Sequence, residues 1–137
     1  MSILYMVAAP IGNDEDLSPR AARVLREAET VFCEDTRRAS RIVALARSVA
    51  GAPAGNGPRL STIHGESNES AVSRAAEKIA ASNSCAFISD AGTPGIQDPG
   101  SALVAACRAR GVAIVPVPGP SAATALISVA PFSCDDH

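Results

Sequence analysis

This sequence predicts an α/β fold built on a five-stranded, mainly parallel sheet flanked by helices. Short apolar or β-branched runs recur five times, at residues 3–8, 30–33, 60–63, 85–89 and 112–117. Segments with helical character follow each of them, at 20–28, 37–47, 70–81, 100–110 and 121–129. The 137 residues are 47% hydrophobic with a formal net charge of −2, which suits one domain with a buried core and excludes disorder. Regular alternation of strand and helix is the pattern of parallel strands joined by helical crossovers, with helices on both sheet faces.

Each element has a local cause. The first strand is an unbroken apolar run that ends where Pro10 and Gly12 interrupt it. Ser18 before Pro19 is a helix start, a capping hydroxyl ahead of a proline at the first helical position, and Asp98 before Pro99 repeats the signal for the fourth helix. The second strand, Thr30-Val31-Phe32-Cys33, is short and β-rich. Residues 50–58, AGAPAGNGP, exclude regular structure and read as a mobile surface loop. They lack the lysine and following helix of a phosphate-binding loop. Gly111 is placed to close the fourth helix before the last strand.

Composition removes several classes. No apolar run reaches the roughly 18–20 residues of a membrane span, and the first residues carry no basic leader, so a cytoplasmic protein is expected. With 12 basic against 14 acidic residues, the bulk charge offers no grip on a polyanion, so any nucleic-acid contact is local or borrowed. Cys33, Cys85, Cys107 and Cys134 are widely separated, without metal-site spacing, and read as buried apolar side chains in a reducing compartment. No metal is expected. A serine-nucleophile elbow and a dinucleotide fingerprint are both missing. Lys78, the sole lysine, lies mid-helix, which argues against a phosphorylatable receiver module.

In an open parallel sheet, ligands bind beyond the carboxyl ends of the strands. There the sequence reads Ala9-Pro10-Ile11-Gly12-Asn13, Glu34-Asp35-Thr36-Arg37, His64-Gly65-Glu66-Ser67-Asn68-Glu69, Asp90-Ala91-Gly92-Thr93-Pro94-Gly95 and Pro118-Gly119-Pro120-Ser121. Three glycines and two prolines within residues 90–100 exceed the needs of a turn and suggest a loop that binds through its main chain. Gly119-Pro120-Ser121 is either a capped turn or an anion site at a helix start. Asp35 is either a helix cap or a base or ligand-orienting group. Arg37, Arg38 and Arg41 form either a solvated helix face or a phosphate-binding cluster, with Arg59 a further candidate.

PIGN, EDTR, SDAGTPGIQDPG and PVPGPSA, in this order and spacing, resemble the ribosomal small-subunit RNA cytidine 2′-O-methyltransferase family of the tetrapyrrole methylase superfamily. The resemblance implies a methyltransferase with a non-Rossmann fold that binds S-adenosylmethionine between two α/β domains, of which this chain matches the N-terminal one. It places cofactor contacts on Pro10 and Gly12, on Ser89, Asp90, Ala91, Gly92 and Thr93, and on Ser121 and Ala122. Residues 34–37 then face the RNA, with Asp35 a base or orienter of the ribose hydroxyl and Arg37, Arg38 and Arg41 contacting substrate RNA. The expected partners are ribosomal RNA in the small subunit, a C-terminal domain absent from this chain, and a second copy in a homodimer. The isolated chain is expected to bind cofactor weakly and to leave RNA unmethylated. Of the family's histidine-containing stretch after the third strand, Asn68 and Glu69 keep the pattern. Alternative readings are a methylase of a small molecule such as a tetrapyrrole, and a non-catalytic dimeric cofactor-binding module.

Overall fold

The computed structural model describes residues 1–51, 57–63, 69–95 and 98–131. Five strands, β1 (Ile3–Val7), β2 (Thr30–Cys33), β3 (Arg59–Thr62), β4 (Ser84–Ile88) and β5 (Ala113–Val117), alternate with α1 (Pro19–Glu27), α2 (Thr36–Val49), α3 (Glu69–Ala80), α4 (Gly100–Arg108) and α5 (Ala122–Ser128). The strand order is β3-β2-β4-β1-β5, and every pairing is parallel. The expected mainly parallel sheet is thus wholly parallel, and element limits differ from the sequence reading by one or two residues. Between β1 and α1 the chain adds a 3-10 turn over Asp14–Asp16, capped by Asn13.

Strand alternation sorts the core into two layers. Val7, Val31, Cys33, Ala86 and Ile88 face α1 and α2, whereas Leu4, Phe32, Cys85 and Phe87 face α3 and α4. The helices answer with buried stripes such as Ala21, Val24 and Leu25 on α1, and Val72, Ala76 and Ile79 on α3. Helices therefore cover both faces, as expected. α5 differs, because none of its residues is buried; Leu126 within it and Val129 just after it are 70% and 79% exposed.

This order sets the place of the site. From β1 the chain moves through α1 and α2 toward β3, and from β3 it returns through α3 and α4 toward β5 on the other face. The connections leaving β1 and β4, adjacent strands, therefore part to opposite faces and open a crevice at their carboxyl ends.

Two helix starts respond differently to their cap signals. The Ser18 hydroxyl accepts from Ala21 N at 3.0 Å, with Pro19 opening α1 as expected. At α4 the expectation is corrected: Pro99, not Asp98, occupies the cap position, and it makes no side-chain cap bond. Asp98 instead accepts from both Gly95 N (2.8 and 2.9 Å) and Gly100 N (2.7 Å), so its carboxylate ties Gly95 to the start of α4 while still serving a first-turn amide. Gly111 takes φ +75 as the closing signal requires, with Val112 N donating back to Cys107 O at 3.1 Å. Cys33, Cys85 and Cys107 are buried free thiols. Part of the 50–58 loop, the stretch 64–68 and Cys134 lie outside the described residues.

Candidate functional site

The connections after β1, β4 and β5 are tied to one another by main-chain and hydroxyl bonds. Ala9 and Gly92 exchange two backbone hydrogen bonds of 3.0 Å, bridging the first and fourth loops across the crevice. Gly92 holds φ +77, and a Cβ there would lie 3.2 Å from Ile11 Cγ2 and 3.6 Å from Pro120 O. Glycine is required for that combination of left-handed backbone and close approach. The buried Ser89 hydroxyl donates to Ala91 O and Gly92 O at 3.0 and 3.2 Å, and Thr93 Oγ1 donates to Pro120 O at 2.8 Å. Gly119 lies against β1, where a Cβ would come within 2.8 Å of Ala8 Cβ.

These ties frame a cleft of about 420 Å³ lined by Ser89, Asp90, Ala91, Gly92 and Thr93 on one side and Ser121, Ala122 and Ala123 on the other, with Glu34 and Asp98 at its margin. A depression of about 280 Å³ holds Pro10, Gly12, Arg38 and Arg41 and shares Asp90 and Ala91 with the first. Another, of about 450 Å³, holds Asp35 and Arg37 and shares Glu34 and Asp90. Asp90 borders all of them, so the site residues that the resemblance implies fall on one continuous edge, whereas Arg59, the further phosphate candidate, opens β3 at the opposite, amino end of the sheet.

The finer geometry separates roles that the sequence left open. Asp35 caps α2, its Oδ1 accepting from Arg37 N at 2.8 Å. That amide bond, aided by the Arg37 and Arg38 charges, holds the carboxyl below its ordinary range. Arg37 Nε lies 3.7 Å from the same oxygen, on a side chain 92% exposed. Arg41 Nη2 donates to both oxygens of Asp14, at 2.8 and 2.9 Å. The Cys33 thiol beneath this edge is pushed up to about 11 by burial, with Asp35, Asp90 and Glu34 adding to the effect. Ser121 precedes α5 without a side-chain cap bond.

Sequence reasoning missed Asp14 and Asp98 as site residues. Asp14 reaches Arg41 across 27 positions, which no local pattern reveals. Asp98 carried a helix-start signal that concealed its service to the loop. Among the described residues no group of three or more His, Cys, Asp or Glu is placed to hold a metal ion. No helix among them is long and apolar enough to cross a membrane.

Residues 3–137 match the family model described as Tetrapyrrole (Corrin/Porphyrin) Methylases. The chain belongs to the tetrapyrrole methylase family. Within this family it is similar to proteins named Ribosomal RNA small subunit methyltransferase I. It is 38% identical to the Leptospira biflexa protein over 95% of this chain and 51% of that one. It is 41% identical to the Xylella fastidiosa protein over 92% and 43%. Among solved tetrapyrrole methylases it resembles native uroporphyrin III C-methyl transferase from Thermus thermophilus, with TM-score 0.66, 24% identity, and coverage of 95% of this chain and 53% of that one. The same enzyme complexed with S-adenyl homocysteine gives TM-score 0.65 and 26% identity over 96% and 53%. The chain spans about half the length of the curated relatives it matches.

Proposed function

We propose that this chain forms one wall of the cofactor cleft in an S-adenosylmethionine-dependent methyltransferase whose acceptor is a cytidine ribose 2′-hydroxyl in small-subunit ribosomal RNA. The observation that carries the reading is the convergence of Ser89–Thr93, Pro10–Gly12 and Ser121–Ala122 on one edge, bridged by Ala9 and Gly92. The names of the curated relatives, 38–41% identical, favour RNA as the acceptor. The uroporphyrin methyl transferase complexed with S-adenyl homocysteine favours the cofactor. The other wall is assigned to a domain equivalent to the remaining half of those relatives.

The residues fit the cofactor. The cleft beside Ser89–Thr93, about 420 Å³, falls within the roughly 300–1,000 Å³ of small-molecule sites. The small lining residues Ala91, Gly92, Ala122 and Ala123 let backbone groups approach an adenosine, and Glu34 and Asp90 supply the negative field that suits a sulfonium. When bound, S-adenosylmethionine supplies an electrophilic methyl carbon. This chain's part is to hold donor and acceptor in line. Asp35, with its pKa lowered, suits accepting a hydrogen bond from the ribose hydroxyl better than removing its proton.

The test supplies full-length protein and tritiated S-adenosylmethionine with either undermethylated small ribosomal subunits or uroporphyrinogen. Label is expected in the subunit RNA, in an alkali-resistant dinucleotide containing cytidine. Transfer to the tetrapyrrole alone, or to a base, would overturn the assigned acceptor. Failure to bind the cofactor would overturn the whole reading.

A further inference from the structure

The second depression along the edge carries an assignment of its own, which rests on the RNA-acceptor reading above. Arg38 and Arg41 stand three residues apart on α2, so they are neighbours on its surface, and both line the depression beside Pro10 and Gly12. Their states differ. Among the described residues the Arg38 guanidinium has no ion-pair partner. Arg41 grips both oxygens of Asp14, yet the two side chains remain 69% and 46% exposed. A solvent-open pair of this kind is easily exchanged. The oxygens of a carboxylate held by a guanidinium stand in for those of a phosphate, which arginine binds with the same donors.

We propose that Arg38 and Arg41 form a clamp for one RNA phosphodiester at the mouth of the cofactor cleft, and that Asp14 is the built-in anion that holds Arg41 until RNA displaces it. Asp14 opens a 3-10 turn whose three residues are all acidic, Asp14, Glu15 and Asp16, so this wall repels a polyanion unless the arginines outweigh it. Arg37 is not part of the clamp; it lines the neighbouring depression with Asp35. The arrangement favours a strand that places a phosphate between both guanidinium groups over diffuse polyanion binding, because a single contact leaves Asp14 in place.

The test measures binding of a fluorescein-labelled single-stranded RNA oligonucleotide to the full-length protein across a salt series. The variants are Arg38→Gln, Arg41→Gln, Asp14→Asn and the double variant Asp14→Asn/Arg41→Gln, with Arg23→Gln as a control on α1. Folding is checked by circular dichroism, and cofactor binding by calorimetry with S-adenosylhomocysteine. Each clamp substitution is expected to weaken binding and lower the slope of log K against log salt by about 0.7, the value for one phosphate contact on a single strand. Asp14→Asn is expected to tighten binding by up to about fivefold, the upper end of what an exposed ion pair contributes. That gain is expected to vanish when Arg41 is glutamine. A gain that persists without Arg41 would mean that Asp14 acts by general repulsion, and it would overturn the proposal. An unchanged salt slope in Arg38→Gln would overturn it too. Absence of RNA binding in every variant, with cofactor binding intact, would overturn the RNA-acceptor reading itself.

Discussion

Replacing Gly92 by alanine separates the cost of a left-handed residue from the cost of disturbing the cleft. At φ +77 an alanine pays about 1–2 kcal/mol for its backbone conformation. The new methyl would sit 3.2 Å from Ile11 Cγ2, but Ile11 is 37% exposed and able to yield, so the steric part is small. Lost freedom in the unfolded chain returns about 0.4–1 kcal/mol. The net expectation is a loss of about 1 kcal/mol, or about 4 °C in Tm for a domain of this size. Gly111 provides the control, since its φ of +75 is nearly the same, nothing lies within 4 Å of its Cβ, and it follows α4 away from the cleft. Gly111→Ala should lose the same stability in urea or thermal unfolding. Only Gly92→Ala should weaken S-adenosylhomocysteine in calorimetry, because the bridge to Ala9 and the spacing to Pro120 belong to the proposed binding surface. Equal effects of both variants on binding would show that Gly92 is not part of the cofactor surface, as would normal binding by Gly92→Ala at the expected loss of stability.

Other expectations follow from single contacts. Ser18→Ala removes the α1 cap and should cost about 1 kcal/mol in urea unfolding, with Ser18→Asp retaining most of it. Leu103→Ala empties a fully buried position between α4 and the sheet and should cost about 2–5 kcal/mol by the same measurement. Asp35 has a carboxyl pKa lowered on folding, so its support of α2 is complete above the unfolded value of about 4 and is lost as pH falls through the lower folded value. Asp35→Asn should therefore flatten the acid limb of the stability profile. Cys33 and Cys107, each pushed up to about 11 chiefly by burial, should take no iodoacetamide label in native protein at pH 8 and react on unfolding, as peptide mass maps would show.

Those expectations rest on features that were unequally visible in the residues alone. β2 was legible to the residue because Thr30-Val31-Phe32-Cys33 is a bounded β-rich run, buried on both faces. β3 and β4 begin one residue earlier than their apolar runs do. Ladder partners set strand ends, and Arg59 and Ser84 have partners in Thr30 and Ile3. Asp35 posed a choice between cap and site; the structure shows it capping α2, at a place that also lies on the carboxyl edge of the sheet. Long-range pairs were illegible. Arg41 with Asp14, Thr93 with Pro120 and Ala9 with Gly92 depend on how the loops meet in space. α5 reads as an apolar helix, and nothing in that pattern says which neighbour covers it.

The loops after β1, β4 and β5 are proposed to form the S-adenosylmethionine surface. Backbone amide shifts of the full-length protein, followed while S-adenosylhomocysteine is added, address it directly. The largest changes are expected at Gly12, Ala91, Gly92, Thr93 and Ala122. Changes centred on the groove between α3 and α4, lined by Val72, Ser73 and Ala102, would contradict it, as would saturation with no change along the carboxyl edge.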